Sequence, residues 1–67
     1  MKRYYLHVIT SYSSNGIVKY EVDADSFDYS GSGCYVFYIR DENSNREVVG
    51  LYPIDRTIIR GIQELQQ

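Results

Sequence analysis

Residues 17–24 read IVKYEVDA, and polar and apolar side chains alternate along this stretch. The even positions from 18 to 24 are apolar, whereas Lys19, Glu21 and Asp23 are charged. A period of two is typical of a β-strand with one buried face. The segment from Arg3 to Tyr12 alternates in the same way. Together the two segments predict an antiparallel hairpin.

The turn between these strands decides which residues face each other. A three-residue loop at 14–16, with its glycine left-handed in a bulge, keeps the apolar residues of both strands on one face. In this register Val8 lies opposite Val22, and His7 lies opposite Asp23 on the polar face. A two-residue turn would mix apolar and polar residues on each face, so we predict the three-residue loop.

A second hairpin is predicted from residues 34–40 (CYVFYIR) and 46–52 (REVVGLY). The residues between them are polar and favour a turn, and Pro53 is expected to end the second strand. Ser30-Gly31-Ser32-Gly33 is interpreted as a connector between the two hairpins and not as a phosphate-binding loop. The predicted register pairs Arg40 with Glu47, Tyr38 with Val49, Val36 with Leu51 and Phe37 with Gly50.

The C-terminal segment allows two interpretations. Thr57-Ile58-Ile59 is β-branched and Gly61 interrupts a helical pattern, which favours a short strand near 57–60. The fold is then mainly β: a small antiparallel meander of four to five strands, which could curl into a partly closed SH3-like barrel. Alternatively, a helix at about 55–66, N-capped by Asp55, packs on a four-stranded sheet in an α+β fold.

Three blocks of sequence resemble a group of known proteins: residues 22–27 (VDADSF), 36–38 (VFY) and 48–53 (VVGLYP). Small, mostly uncharacterised bacterial and phage β-domain proteins carry a similar pattern of strand, "ADSF", glycine, "VFY" and strand. The resemblance spans about residues 17 to 60. It implies an antiparallel β-fold and a bacterial or phage origin, and it assigns no catalytic or binding residue.

Composition and targeting signals limit the classes of protein. The chain of 67 residues is 43% hydrophobic and 24% charged, which is typical of a globular protein and predicts one small domain over 1–67. Cys34 is the single cysteine, so an intramolecular disulfide is impossible and we expect a reducing, cytoplasmic location. The apolar run at 4–9 is too short for a signal peptide or a membrane span.

Residues suited to catalysis or metal binding are few. His7 is the only histidine, and we interpret it as a partner of Asp23 in a cross-strand pair rather than as a general base. Nothing in the sequence places a base beside Cys34. The acidic run 21–28 departs from the spacing of a calcium loop, and one cysteine with one histidine is too few for zinc. We therefore expect no enzyme activity, no metal and no cofactor.

The second hairpin is the predicted binding region, because both of its faces are apolar or aromatic. One face carries Cys34, Val36, Tyr38, Val49 and Leu51, and the other carries Tyr35, Phe37, Ile39, Val48 and Tyr52. A chain this short usually covers only one sheet face, and an apolar face that stays uncovered marks a partner surface. Alternatively, the sheet closes into a barrel and the tyrosine hydroxyls reach water at its rim. The predicted binding residues are Tyr35, Tyr38, Tyr52, Phe37, Arg40 and Arg56.

Two functions are compatible with this hairpin. The first is a non-enzymatic interaction protein, an inhibitor or accessory factor that binds a protein partner and self-associates through the hairpin or a free sheet edge. The alternative is a small nucleotide-type ligand, with tyrosines stacking on a base and arginines holding phosphate. Extended nucleic acid is not expected, because seven basic residues are scattered among nine acidic ones.

Overall fold

The computed structural model describes residues 1–10 and 16–65. The mainly β fold predicted from the sequence is confirmed: nearly every described segment is a strand. A 3₁₀ turn at Ile54–Arg56 precedes the last strand. The strands are β1 Lys2–Ile9, β2 Ile17–Ala24, β3 Ser26–Tyr29, β4 Cys34–Arg40, β5 Arg46–Pro53 and β6 Thr57–Glu64.

The strands form two antiparallel three-stranded sheets. The first sheet has the order β2-β1-β6 and the second has the order β3-β4-β5. β2 and β3 are separated only by Asp25, where the chain bends from one sheet into the other. The Asp25 N–H donates to the Tyr38 carbonyl at 2.9 Å, and the Asp25 carboxylate accepts the Arg40 N–H at 2.7 Å. This bend joins the two sheets, but the described strands do not close into a barrel.

The C-terminal segment is a strand, so the helix considered as an alternative for residues 55–66 does not occur. β6 is longer than the strand predicted near 57–60, and it pairs with β1 rather than with its sequence neighbour β5. The described residues form six strands instead of four to five, because residues 26–29, for which no strand is predicted, form β3 after the bend at Asp25. The β-branched residues at 57–59 fit a pleated surface better than a helix, which explains the outcome.

The predicted register of the first hairpin is wrong, although the predicted faces are right. Val8 lies opposite Val18, and Asp23 lies opposite Arg3. His7 lies opposite Lys19 and not opposite Asp23. The hairpin is closed by the Thr10 N–H, which donates to the Gly16 carbonyl at 2.6 Å, so the connection is longer than three residues. A shift by an even number of residues preserves the faces, so alternation alone cannot determine the register. Residues 11–15, including Tyr12 and most of the predicted loop, lie outside the described residues.

The second hairpin follows its predicted register over half of its length. Val36 lies opposite Leu51 and Phe37 lies opposite Gly50, as expected. Beyond them a β-bulge inserts Val49, so that Tyr38 pairs with Val48. The predicted pairs of Tyr38 with Val49 and of Arg40 with Glu47 are therefore wrong. Glu47 instead lies opposite Ile39, and Arg40 lies opposite Arg46. β5 ends at Pro53, as predicted. Residues 30–33 are not a connector between two hairpins, because they form the turn between the paired strands β3 and β4.

The core lies between the inner faces of the two sheets. Phe37 lies at the centre of the core and is fully buried. The centre of its ring lies 5.1 Å from that of Tyr4 and 5.7 Å from that of Tyr52, both in edge-on arrangements. Burial raises the pKa of both tyrosines above the usual value. The buried core residues are Tyr4, Leu6, Val8, Val22, Ala24 and Phe37, bordered by Phe27, Tyr35, Tyr52 and Ile59.

Candidate interaction surfaces

An exposed aliphatic surface lies on the outer side of the second sheet. Phe37 points into the core, so its neighbours Val36 and Tyr38 and their partners on β5 point the other way. Val48, Val49 and Leu51 are 53%, 42% and 62% exposed. Val36, across from Leu51, is half-buried. We call Val36, Val48, Val49 and Leu51 the β4–β5 outer face.

The bulge at Val49 creates much of this surface. Without it Val48 would alternate onto the inner face with Phe37, as predicted from the sequence. The extra residue turns Val48 outward to face Tyr38, and Val49 lies beside it without a partner on β4. Three aliphatic side chains of one strand are thereby exposed together, at an outer strand of the sheet.

A charged cluster borders the β4–β5 outer face. The Arg46 guanidinium lies 4.2 Å from the centre of the Tyr38 ring and donates to Asp28 at 2.7 Å. The Arg40 guanidinium lies 5.4 Å from the same ring and forms no ion pair with the residues that the structure describes. Tyr38 is consequently 5% exposed although it points outward. A hydrogen bond with Ser26, reinforced by the two arginines, lowers the pKa of Tyr38 below its usual value.

The predicted binding residues do not converge on one site. Tyr35, Phe37 and Tyr52 share the inner side of the second sheet, where Phe37 is buried and the other two border the core. Tyr38 and Arg40 lie on the outer side of the same sheet. Arg56 is exposed on the 3₁₀ turn before β6.

A row of aromatic rings continues the core toward the end of the second sheet. Tyr29 is 69% exposed, and its ring lies 5.4 Å from Tyr35 and 6.2 Å from Phe27. At the other end of the row, Tyr20 packs on Tyr52 at 5.6 Å and is exposed, although alternation along β2 predicts it on the buried face. The described residues therefore cover the inner side of the second sheet only in its middle.

The residues considered for catalysis and metal binding are dispersed. His7 lies on the first sheet between Lys19 and Ile58, whereas Cys34 begins β4 in the second sheet. No cavity and no group of metal ligands is found within residues 1–10 and 16–65. Asp23 accepts two hydrogen bonds from Arg3, at 2.8 and 3.1 Å, which lower the pKa of its carboxyl group. In the described part of the chain, no helix is long and apolar enough to cross a membrane.

Comparison of the chain with models of known families, with curated proteins and with solved structures finds no match. The resemblance to bacterial and phage β-domain proteins therefore stays a prediction.

The sequence predicts the binding region in the hairpin that carries this surface, but not its exposed residues. Alternation assigns Val48 to the inner face, and the predicted binding residues include neither Val48 nor Val49. The available signal was Gly50, because glycine inside a strand often marks a bulge nearby.

Proposed function

We propose that this protein is a non-enzymatic interaction domain that binds another protein through the β4–β5 outer face. The observation that carries the proposal is the joint exposure of Val48, Val49 and Leu51 beside Val36. Contiguous exposed apolar side chains rimmed by polar residues are typical of protein-binding surfaces. A protein surface with an aliphatic centre would bury these side chains and gain roughly 25 cal/mol per Å² of apolar area removed from water.

The charged residues beside the β4–β5 outer face predict a second feature of the proposed partner. Arg46 is neutralised by Asp28, whereas Arg40 has no ion pair among the described residues. A carboxylate on the partner would complement Arg40 at the rim of the aliphatic surface. Charges in such positions guide association and orientation more than they add to affinity.

The geometry favours a protein over a nucleotide-type ligand. Stacking on a base needs a free aromatic face, but the guanidinium of Arg46 lies over Tyr38. Tyr35 and Tyr52 lie on the opposite side of the sheet from Arg40, so they cannot share one ligand with it. Small ligands also bind in concave sites, and the described residues form no cavity.

Affinity capture with matched variants tests this proposal. The bait is the whole protein, immobilised and exposed to bacterial lysates, with a Val49→Thr/Leu51→Thr variant in parallel. The control is Ile62→Thr, because Ile62 is similarly exposed, at 56%, but lies on the other sheet. Captured proteins are then purified and titrated by calorimetry. We expect the double variant to weaken binding about tenfold or more, which corresponds to about 1.4 kcal/mol, and the control to bind as the wild type.

Two results would count against the proposal. One is that every purified candidate binds the double variant as tightly as the wild type. The other is a rise in melting temperature with a panel of nucleotides, without any protein that binds measurably, which would favour the ligand hypothesis.

A further inference from the structure

The outer edge of β2 is a second surface, and it belongs to the other sheet from the β4–β5 outer face. The hydrogen bond from Thr10 to Gly16 makes these two residues a hydrogen-bonded pair in the register of the hairpin. Such pairs recur at every second residue of an antiparallel ladder, so the even-numbered residues of β2 bond to β1. The backbone N–H and C=O groups of the odd-numbered residues in 17–23 therefore point away from β1.

Among the described residues, this edge has a backbone partner only at its C-terminal end. Asp25 is the next odd-numbered residue, and its N–H donates to the carbonyl of Tyr38 on β4 at 2.9 Å. Within residues 1–10 and 16–65, the outward groups of residues 17–23 have no backbone partner. The first five residues of β2 are all exposed, including the apolar Val18 and Tyr20. A strand edge is thus open directly beside the place where β4 pairs.

The other outer strands are less suited to pairing. β5 contains the bulge at Val49 and ends at Pro53, and β6 contains a register shift opposite Tyr5 and Leu6. β3 has only four residues. Bulges, proline and shortness are among the features by which sheet edges avoid pairing with other chains, and charged side chains are another. β2 has eight residues in an unbroken register and no proline, and two of its three charged side chains, Lys19 and Glu21, are of opposite sign.

We infer that β2 pairs antiparallel with β2 of a second copy of this chain, with Tyr20 facing Tyr20 across a two-fold axis. In this register Lys19 of each copy lies opposite Glu21 of the other. Both residues have outward backbone groups, so each such pair exchanges two backbone hydrogen bonds and also joins opposite charges. Moving the axis to residue 19 or 21 would instead place Lys19 against Lys19 or Glu21 against Glu21. Charge therefore selects the register centred on Tyr20.

The pairing would extend the sheet β6-β1-β2 into a continuous sheet of twice as many strands. A two-fold arrangement of this kind closes on itself, so it gives a dimer and not a fibre. It also leaves the β4–β5 outer face of both copies free. The contact is small, so association is expected to be weak.

The charges at 19 and 21 allow a test by exchange. The molar mass of the whole protein is measured by sedimentation equilibrium between about 10 μM and about 1 mM, the range in which small interfaces associate. Lys19→Glu and Glu21→Lys are each expected to raise the dimer dissociation constant about tenfold or more, because each turns two attractive pairs into repulsive ones. An equimolar mixture of the two variants should associate again, since the two carboxylates of one variant would face the two ammonium groups of the other. The double variant Lys19→Glu/Glu21→Lys should dimerise like the wild type.

Control variants separate this contact from other causes. Arg56→Glu changes the net charge as Lys19→Glu does, but on the 3₁₀ turn, and should leave the dimer unchanged. A wild type that remains monomeric over the whole range would overturn the inference. Failure of the mixture or of the double variant to restore dimerisation would also overturn it. Loss of the dimer in an Arg60→Glu variant, whose substitution lies on β6, would overturn it as well. If either single variant does not fold, dimerisation of the double variant still tests the proposed pairing of residues 19 and 21. The variants at Val49 and Leu51 should dimerise normally, so failure of the partner proposal is distinguishable from failure of this one.

Discussion

Replacing Phe37 by leucine tests whether this residue belongs to the core rather than to a binding surface. Phe37 is fully buried, and its ring contacts Tyr4 at 5.1 Å, Phe27 at 5.4 Å and Tyr52 at 5.7 Å between ring centres. Leucine retains much of the apolar burial but loses the aromatic pairs, each worth about 0.5 to 1.5 kcal/mol. The substitution also leaves a small cavity. We expect a loss of about 2 kcal/mol, because pair energies in one cluster are not additive.

This loss is large for so short a chain. At about 0.05 to 0.15 kcal/mol per residue, the whole domain is stable by roughly 3 to 10 kcal/mol. A loss of about 2 kcal/mol lowers the melting temperature by roughly 8 to 16 °C, at 4 to 8 °C per kcal/mol for a domain of this size. Phe37→Ala would cost about 3 to 5 kcal/mol and could unfold the domain, so leucine is the better choice.

Urea denaturation followed by circular dichroism measures the effect, with an unchanged slope as the sign that the two-state transition is retained. The matched control is Tyr29→Leu, because Tyr29 belongs to the same aromatic row but is 69% exposed. The control should cost about 0.5 kcal/mol or less. Equal stability of Phe37→Leu and wild type would refute the assignment of Phe37 to the core, and so would an equal loss in the control.

Three further substitutions have expected outcomes. Thr57→Val should raise the midpoint of urea denaturation, because it removes a buried hydroxyl that has no partner among the described residues. The expected increase in the free energy of unfolding is about 1 kcal/mol, and a decrease would show that the hydroxyl is hydrogen-bonded. The folded-state pKa of Asp23 is depressed by Arg3, so its stabilisation is present above the ordinary carboxyl pKa and is lost as the pH falls through the depressed value. Asp23→Asn should therefore unfold more easily than wild type at neutral pH, with the difference in unfolding free energy vanishing in acid; a constant difference would contradict the ion pair. Gly50→Ala should destabilise the protein by about 1 to 2 kcal/mol, because the added Cβ would lie 2.9 Å from the Tyr52 ring. Thermal unfolding measures this effect, and an unchanged melting temperature would show that the ring moves aside.

The class of the fold was predictable because it depends on local patterns. Alternation in residues 17–24 assigns side chains to faces whatever the register, and the β-branched residues at 57–59 favour a strand. Two features were not predictable from the chain alone. The register of the first hairpin depends on a connection longer than a tight turn, and the pairing of β6 with β1 joins opposite ends of the sequence.

The candidate surface was predictable only as a region. The sequence indicates that both faces of the hairpin at 34–52 are apolar, whereas a chain this short usually covers only one of them. Which residues are exposed depends on the bulge at Val49, which reverses Val48, and on Arg46, which covers Tyr38. Both are details of packing between strands, and a period of two contains no information about them.

The most direct test of the proposed interaction surface is to map where a captured protein partner binds. The partner is titrated into the ¹⁵N-labelled protein, and the chemical shifts of backbone amides are followed residue by residue. We predict that the largest changes occur at Val36, Val48, Val49 and Leu51, with smaller changes at Arg40. Changes confined to the first sheet, or to the inner aromatic row around Tyr29, would contradict the proposal.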